Sequence, residues 1–447
     1  MIAPSLPSHR SRSLPAFVLL VIAACGGRAS GVSGSGSNVA VSSGLSPGTV
    51  SGTSVGASTG ANSGRSGGSG VGVSTGLASG ASADSGSGSA SGTGSDAGAG
   101  TDSGNALAPP CPDNSSDAGP VAPPSCALGG PGMTNCGASG ESCCTSLEVT
   151  GGTYYRTYDE ITAPGGSYTF TLAADGGPTG EADPATVSCF RLDKYLVTVG
   201  RFRQFVNAVL ASDGGAGWVP SSGSGKHTYL NGGNGLNATG GGYEPGWVAT
   251  DDSNIAPTNA NLSSCAPYST WTNTAASQEN LPINCVNWRE SYAFCIWDGG
   301  FLPSEAEWEY AAAGGSQQRE YPWGSTAPGT ANEYAIYGCY YPSDSRSCRA
   351  VGNIAPVGTA TAGAGLWGQL DMAGEMAEWT LDWYAPYVDP CTDCADFAAG
   401  ILANRVFRGG NFGFTIPSSL LLPPDRGLFF PSSGRGDDVG FRCARAP

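Results

Sequence analysis

The sequence predicts an α+β domain with low regular secondary structure and long loops. Three observations carry that prediction. Few segments have the periodicity of a strand or a helix, and residues 211–282 are Gly/Asn/Ser-rich and weakly periodic. All ten tryptophans lie from Trp218 onward, whereas residues 26–110 hold no aromatic residue. Of fifteen cysteines, fourteen remain once Cys25 is set aside, an even number that reads as disulfides in an oxidising compartment.

Taken in order, residues 1–25 read as an export signal. His9, Arg10 and Arg12 precede the apolar run LPAFVLLVIAAC, residues 14–25, which is too short to span a bilayer comfortably. Its end, Ile22-Ala23-Ala24-Cys25, resembles the lipobox of bacterial lipoproteins, in which the Cys becomes the lipidated N-terminus. Residues 26–110 form a Gly/Ser-rich tether with nothing to bury, and as a flexible coil it reaches roughly 50 Å. The expectation is an exported lipoprotein of the outer membrane or cell surface, held to the membrane by acyl chains. A net charge of −16 with only twenty basic residues argues against nucleic acid as a partner, because that footprint needs clustered Lys and Arg.

Residues 111–150 read as a small Cys-rich segment. Cys111, Cys126, Cys136, Cys143 and Cys144 number five, so at least one pairs with the larger domain, residues 151–447, or stays free. TVSCFRLDKYLVT, residues 186–198, reads as strand. Thr198 then caps a helix with Phe202, Phe205, Val206 and Val209 on one face. Trp218, Trp247 and Trp271 stand in the long loops, as anchors of small cores or as the lining of a groove. Asn287 with Glu290, and Ser304 with Glu307, open two further helices that Gly299-Gly300 and Gly314-Gly315 close. Glu305 and Glu309 share a helix face and Glu307 points elsewhere, so these carboxylates do not make a catalytic pair.

Three cysteine and charge patterns read as structural. Cys391 and Cys394, after Pro390 in an acidic run, form a loop disulfide, and Cys339 and Cys348 close a nine-residue loop. His227, alone in a Gly/Ser loop, reads as solvated. Asp425, Arg426, Arg435, Asp437 and Asp438 read as charged loop residues, some bridged to Arg442.

Several segments in order resemble the sulfatase-modifying factor (formylglycine-generating enzyme-like) family. They are RLDKYLVTVGRFRQFV (191–206), LPINCVNWRESYAFCIWDGGFLPSEAEWEYAAAGG (281–315), YPWG (321–324), GLWGQLDMAGEMAEWTLDWY (365–384), RVFRGGNF (405–412) and GFRCAR (440–445). The resemblance covers roughly residues 151–447 and implies a fold related to C-type lectins, with structural calcium bracing its loops. Gly374, Glu375, Ala377 and Glu378 of AGEMAEW are the implied calcium segment, and Asn332 is a candidate for a second ion; carboxylate and carbonyl oxygens suit a hard cation. The alternative for Glu378 is a buried hydrogen bond or salt bridge.

The family's oxidase converts a substrate cysteine in a Cys-x-Pro-x-Arg motif, using oxygen and copper held by two protein cysteines. Two thiolates are soft ligands that favour Cu(I). Here Phe414 and Ser419 occupy approximately those two positions, and no Cys follows before Cys443, so copper is not expected. Relatives that hold iron with several histidines are excluded by count, since the chain has only His9 and His227. The first expectation is a surface-tethered, non-catalytic domain that binds a peptide, glycan or protein of the envelope. The alternative is an oxidoreductase acting on a protein cysteine through a non-standard metal site, with Cys339 and Cys348 replacing the lost ligands. A purely structural stalk-tip module is a third reading.

Overall fold

A helix buried on every side fixes the layout of the chain in its computed structural model. The structure describes residues 111, 122–158, 180–210, 217–343, 347–387, 389, 391–399, 403–413, 418–426 and 429–447. The expectations for Cys25, for the tether and for Phe414 fall outside them.

The helices are α1 (Val199–Val209), α2 (Asn259–Leu262), α3 (Trp288–Trp297) and α4 (Glu305–Ala313). The strands are β1 (Ser146–Val149), β2 (Gly152–Thr157), β3 (Ala182–Val187), β4 (Phe190–Asp193), β5 (Asn237–Ala238) and β6 (Ala377–Trp383). They continue with β7 (Cys391–Thr392), β8 (Cys394–Ala395), β9 (Asn404–Arg408), β10 (Phe429–Pro431), β11 (Val439–Gly440) and β12 (Ala444–Arg445). Their sheets run β1-β4-β12, β10-β9-β6-β11, β2-β3-β7 and β5-β8. Short strands joined by long connections are what an α+β chain rich in Gly and Asn produces. The stretch after α1 holds only β5, α2 and brief 3-10 turns among its described residues.

The helices begin where side chains satisfy their free amides. Thr198 accepts from Arg201 N at 3.2 Å. Asn287 with Glu290 and Ser304 with Glu307 form complete capping boxes. Phe202, Phe205 and Val206 of α1 are buried and Val209 packs against the same core. Trp247 and Trp271 are members of that core and Trp218 lies against it.

All nine residues of α4 are buried, three of them glutamates. A buried carboxylate needs a partner, and each finds one. Glu305 and Glu309 both meet Arg408 at 2.8 Å, and Arg426 adds a second contact to Glu305 at 2.7 Å. Glu307, on the other side, meets His227. Arg442 binds both oxygens of Glu378, at 2.7 and 2.8 Å. Two charge expectations are therefore corrected. Arg426 and Arg435 do lie in loops, but they do not belong to a cluster on Arg442; they pair with Glu305 and Glu290 in the helix starts. Asp438 instead accepts from Asn411 Nδ2 at 2.8 Å. The sequence separation of each pair exceeds a hundred residues for Arg426–Glu305 and Arg435–Glu290, so local pattern could not reveal them.

Residues 122–150 pack onto the larger domain. β1 pairs with β4 in antiparallel register, Leu147 opposite Leu192. Cys111 crosses to Cys189, which resolves the odd cysteine count. Fully buried Arg201 ties the segment in through Ser125 Oγ and Cys143 O, while pairing with Asp193 and Asp298.

Candidate functional site

The Arg-Gly-Gly turn follows directly from β9. Both glycines are required by geometry. Gly409 has φ +96° and a side chain there would lie 2.8 Å from Met372 O; Gly410 has φ +67° and would meet Leu420 O at 2.9 Å. Gly409 O accepts from Gly374 N at 2.7 Å, so the turn is stitched to the AGEMAEW segment. Phe412 N then donates to Glu375 O at 3.0 Å, and Cys339 N donates to Phe412 O at 2.8 Å. Asn411 closes the turn by accepting from Gly413 N at 2.9 Å.

Of the two positions expected to replace copper cysteines, Ser419 is described. It is buried, and its hydroxyl has no hydrogen-bond partner among the described residues. Beside the turn, Cys348 Sγ stands 3.9 Å from Gly413 O. It is joined to Cys339. All fourteen cysteines from Cys111 onward are paired, in seven disulfides. Cys391–Cys394 is one of them, in agreement with the loop-disulfide reading.

The residues named for calcium are spread unevenly. Gly374 has φ +82° and packs against Ile336 O, and Ala377 opens β6. Glu378 has both oxygens on Arg442. Glu375 accepts from Ala355 N through Oε1, whereas its Oε2 is buried without a partner among the described residues. Burial, and then the charge of Asp371, push its carboxyl well above the usual range. Asn332 donates to Tyr340 O, and among the described residues its Oδ1 is likewise buried and unpartnered. No group of three or more His, Cys, Asp or Glu side chains with metal-site geometry occurs among the described residues.

His227 is a correction. Rather than solvated, it is wholly buried, with Nδ1 2.9 Å from Glu244 Oε2 and Nε2 3.0 Å from Glu307 Oε2. Its ring lies on Phe301, centroids 3.7 Å apart. Burial opposes its charge, but Glu307 and Glu244 outweigh it and raise the imidazolium to about 10. Both nitrogens are engaged, which leaves no lone pair for a metal or a substrate proton.

The profile of the Sulfatase-modifying factor enzyme 1-like domain matches residues 148–447. The formylglycine-generating enzyme of Streptomyces coelicolor is 34% identical over 176 residues, 37% of this chain and 52% of that enzyme. The chain thus spans about half the length of that relative. The enzyme of the same name from Thermomonospora curvata is 26% identical over 322 residues, 64% of this chain and 93% of its own. The Mus musculus protein named inactive C-alpha-formylglycine-generating enzyme 2 is 30% identical over 172 residues, 37% of this chain and 49% of that protein. Among solved structures, PvdO from Pseudomonas aeruginosa aligns over 71% of this chain and 99% of its own, with 18% identity and a TM-score of 0.39.

Proposed function

Because the chain belongs to the sulfatase-modifying factor family, we propose that its domain is a non-oxidase member that binds a peptide, glycan or protein of the cell envelope. The observation that carries this reading is the sulfur inventory. Phe414 and Ser419 stand at approximately the two positions where the active family holds thiolates, and every cysteine from Cys111 onward is committed to a disulfide. A domain with no free thiol offers Cu(I) no soft pair. A curated relative that is itself named inactive lends support.

Seven disulfides belong with an oxidising, exported environment. No helix among the described residues is long and apolar enough to cross a membrane. Lipidation of Cys25, with the Gly/Ser tether as spacer, is the proposed attachment to the outer membrane or cell surface. Structural calcium belongs to the same proposal. Among the described residues Glu375 Oε2 is the unpartnered buried oxygen of the first site and Asn332 Oδ1 that of the second, while Glu378 is taken by Arg442.

One observation favours a second reading. Cys339 is hydrogen-bonded through its amide to Phe412, and Cys348 lies beside Gly413, so this disulfide borders the turn that the missing ligands would occupy. Opened by a thiol reductant, it would supply two thiolates there, and the domain would be an oxidoreductase acting on a protein cysteine. Copper retention by the purified chain, with aldehyde detection on a Cys-x-Pro-x-Arg peptide, separates the readings. The first expects neither, with or without mild reduction. Aldehyde formed only after reduction, and lost in Cys339→Ser, establishes the second.

A further inference from the structure

Arg405, at the start of the same strand, is buried in a way that no function so far accounts for. It is 92% shielded, with 8% of its surface exposed. Its guanidinium lies between two indoles, 3.6 Å from the Trp288 ring centroid and 3.7 Å from that of Trp383. Among the described residues its one hydrogen bond runs from Nη1 to Leu381 O, at 2.6 Å, and its buried Nε has no partner. Among the described residues no carboxylate forms an ion pair with it. Asp382, the acid that most favours its charge, already accepts from Glu305 N and Asp396 N.

This guanidinium lines a cavity of about 310 Å³. That is the size of a small-ligand site. Trp247, Tyr292 and Phe397 form further walls. The indole N–H groups of Trp247 and Trp288 are spent on Asp252 and Thr380, so both residues offer the cavity only ring surface. The one other charged pair in the lining, Arg289 and Asp251, is bound to itself at 2.5 Å, and Arg289 also donates to Ser432. Stacking covers both faces of Arg405, which leaves donors only in the guanidinium plane. In-plane donors match a planar carboxylate, whose two oxygens accept parallel hydrogen bonds. Aromatic walls match an apolar body attached to it.

We propose that this cavity binds the carboxylate of a ligand with an aromatic body, either a small free acid or the C-terminus of a peptide, with Arg405 as the recognition group. The assignment deepens the reading of the domain as a binding module and rests on it.

Titration calorimetry on the full chain tests it with four probes: 3-phenylpropionate, 3-phenylpropanamide, and the tripeptide Gly-Gly-Phe as free acid and as C-terminal amide. At least one acid binds saturably, and its amide binds at least about tenfold more weakly. Which acid binds identifies the source. Arg405→Met abolishes the preference for the acid. Since that variant disturbs the core, Val248→Trp is the companion: Val248 is 43% exposed and lines the same cavity, so a larger ring blocks it without touching the buried Arg. Equal binding of acid and amide, no saturable binding of either acid, or unaltered binding in Val248→Trp overturns the site. A failure here leaves the non-oxidase reading standing, whereas copper-dependent aldehyde formation sinks that reading whatever the acids do.

Discussion

Arg408 and Arg405 lie three residues apart on β9, and period-two alternation places them on opposite faces of the strand. Both are buried, yet they are neutralised by different means. Arg408 meets Glu305, Glu309, the Tyr387 hydroxyl and the carbonyls of Pro423 and Asp425. Arg405 meets two indole faces and one carbonyl. Burial disfavours the charge of each. For Arg408 its acidic neighbours, Glu309 first, outweigh that effect and raise its pKa well above the ordinary value; for Arg405 burial prevails and lowers it to about 9. A cation held by carboxylates has used its donors to build the fold. A cation held by π faces keeps some donors in reserve, and that difference separates a structural arginine from a recognition arginine.

The largest effect expected from this contrast is on stability. Arg408→Met strands Glu309 in the core, leaves Glu305 to Arg426 alone, and costs about 3–5 kcal/mol, read as a lower midpoint in denaturant melts. A loss under about 1 kcal/mol would remove the contrast at its strong end.

His227 extends the paired class to a titratable cation, and its effect depends on pH. Its folded pKa of about 10 lies above the unfolded value of about 6.5. The stabilisation it gives is therefore fully present below about pH 6.5 and is lost as pH rises through about 10. Between pH 7 and pH 10 the difference in unfolding free energy between the native chain and His227→Gln shrinks by about 3–4 kcal/mol. A difference that stays constant or grows over that range would show that the imidazole is buried neutral.

Arg405→Met has the smallest expected effect. It removes two cation–π contacts but also a desolvated charge, so the net change stays under about 2 kcal/mol. A cost equal to that of Arg408→Met would make Arg405 another structural ion and weaken the case for a ligand.

What the sequence made legible follows the same division between local and distant interactions. The two capping boxes, the split of Glu305 and Glu309 from Glu307, and the disulfides Cys339–Cys348 and Cys391–Cys394 depend on residues a few positions apart, and all are present. The odd cysteine among residues 111–150 announced a distant partner without naming Cys189. His227 was unreadable because Glu244 and Glu307 stand 17 and 80 residues away in sequence. The only hint was that Glu307, facing away from its two neighbours on α4, needed some cation of its own. The stacked Arg405 was hidden for a related reason: Trp288 comes from α3 and Trp383 from the end of β6, after an irregularity that brings Trp383 opposite Arg405. RVFRGGNF signalled the glycines of the turn, but nothing in it distinguishes the two arginines.

The claim on which the functional account turns is that no thiolate pair stands at the Gly409-Gly410 turn. Disulfide mapping by mass spectrometry on the chain purified from its export compartment, with alkylation before unfolding, addresses it directly. The account predicts no alkylated cysteine between Cys111 and Cys443 and an intact Cys339–Cys348 cross-link. Stoichiometric alkylation of Cys339 and Cys348, with copper retained by the same preparation, would contradict it and return the domain to the oxidases.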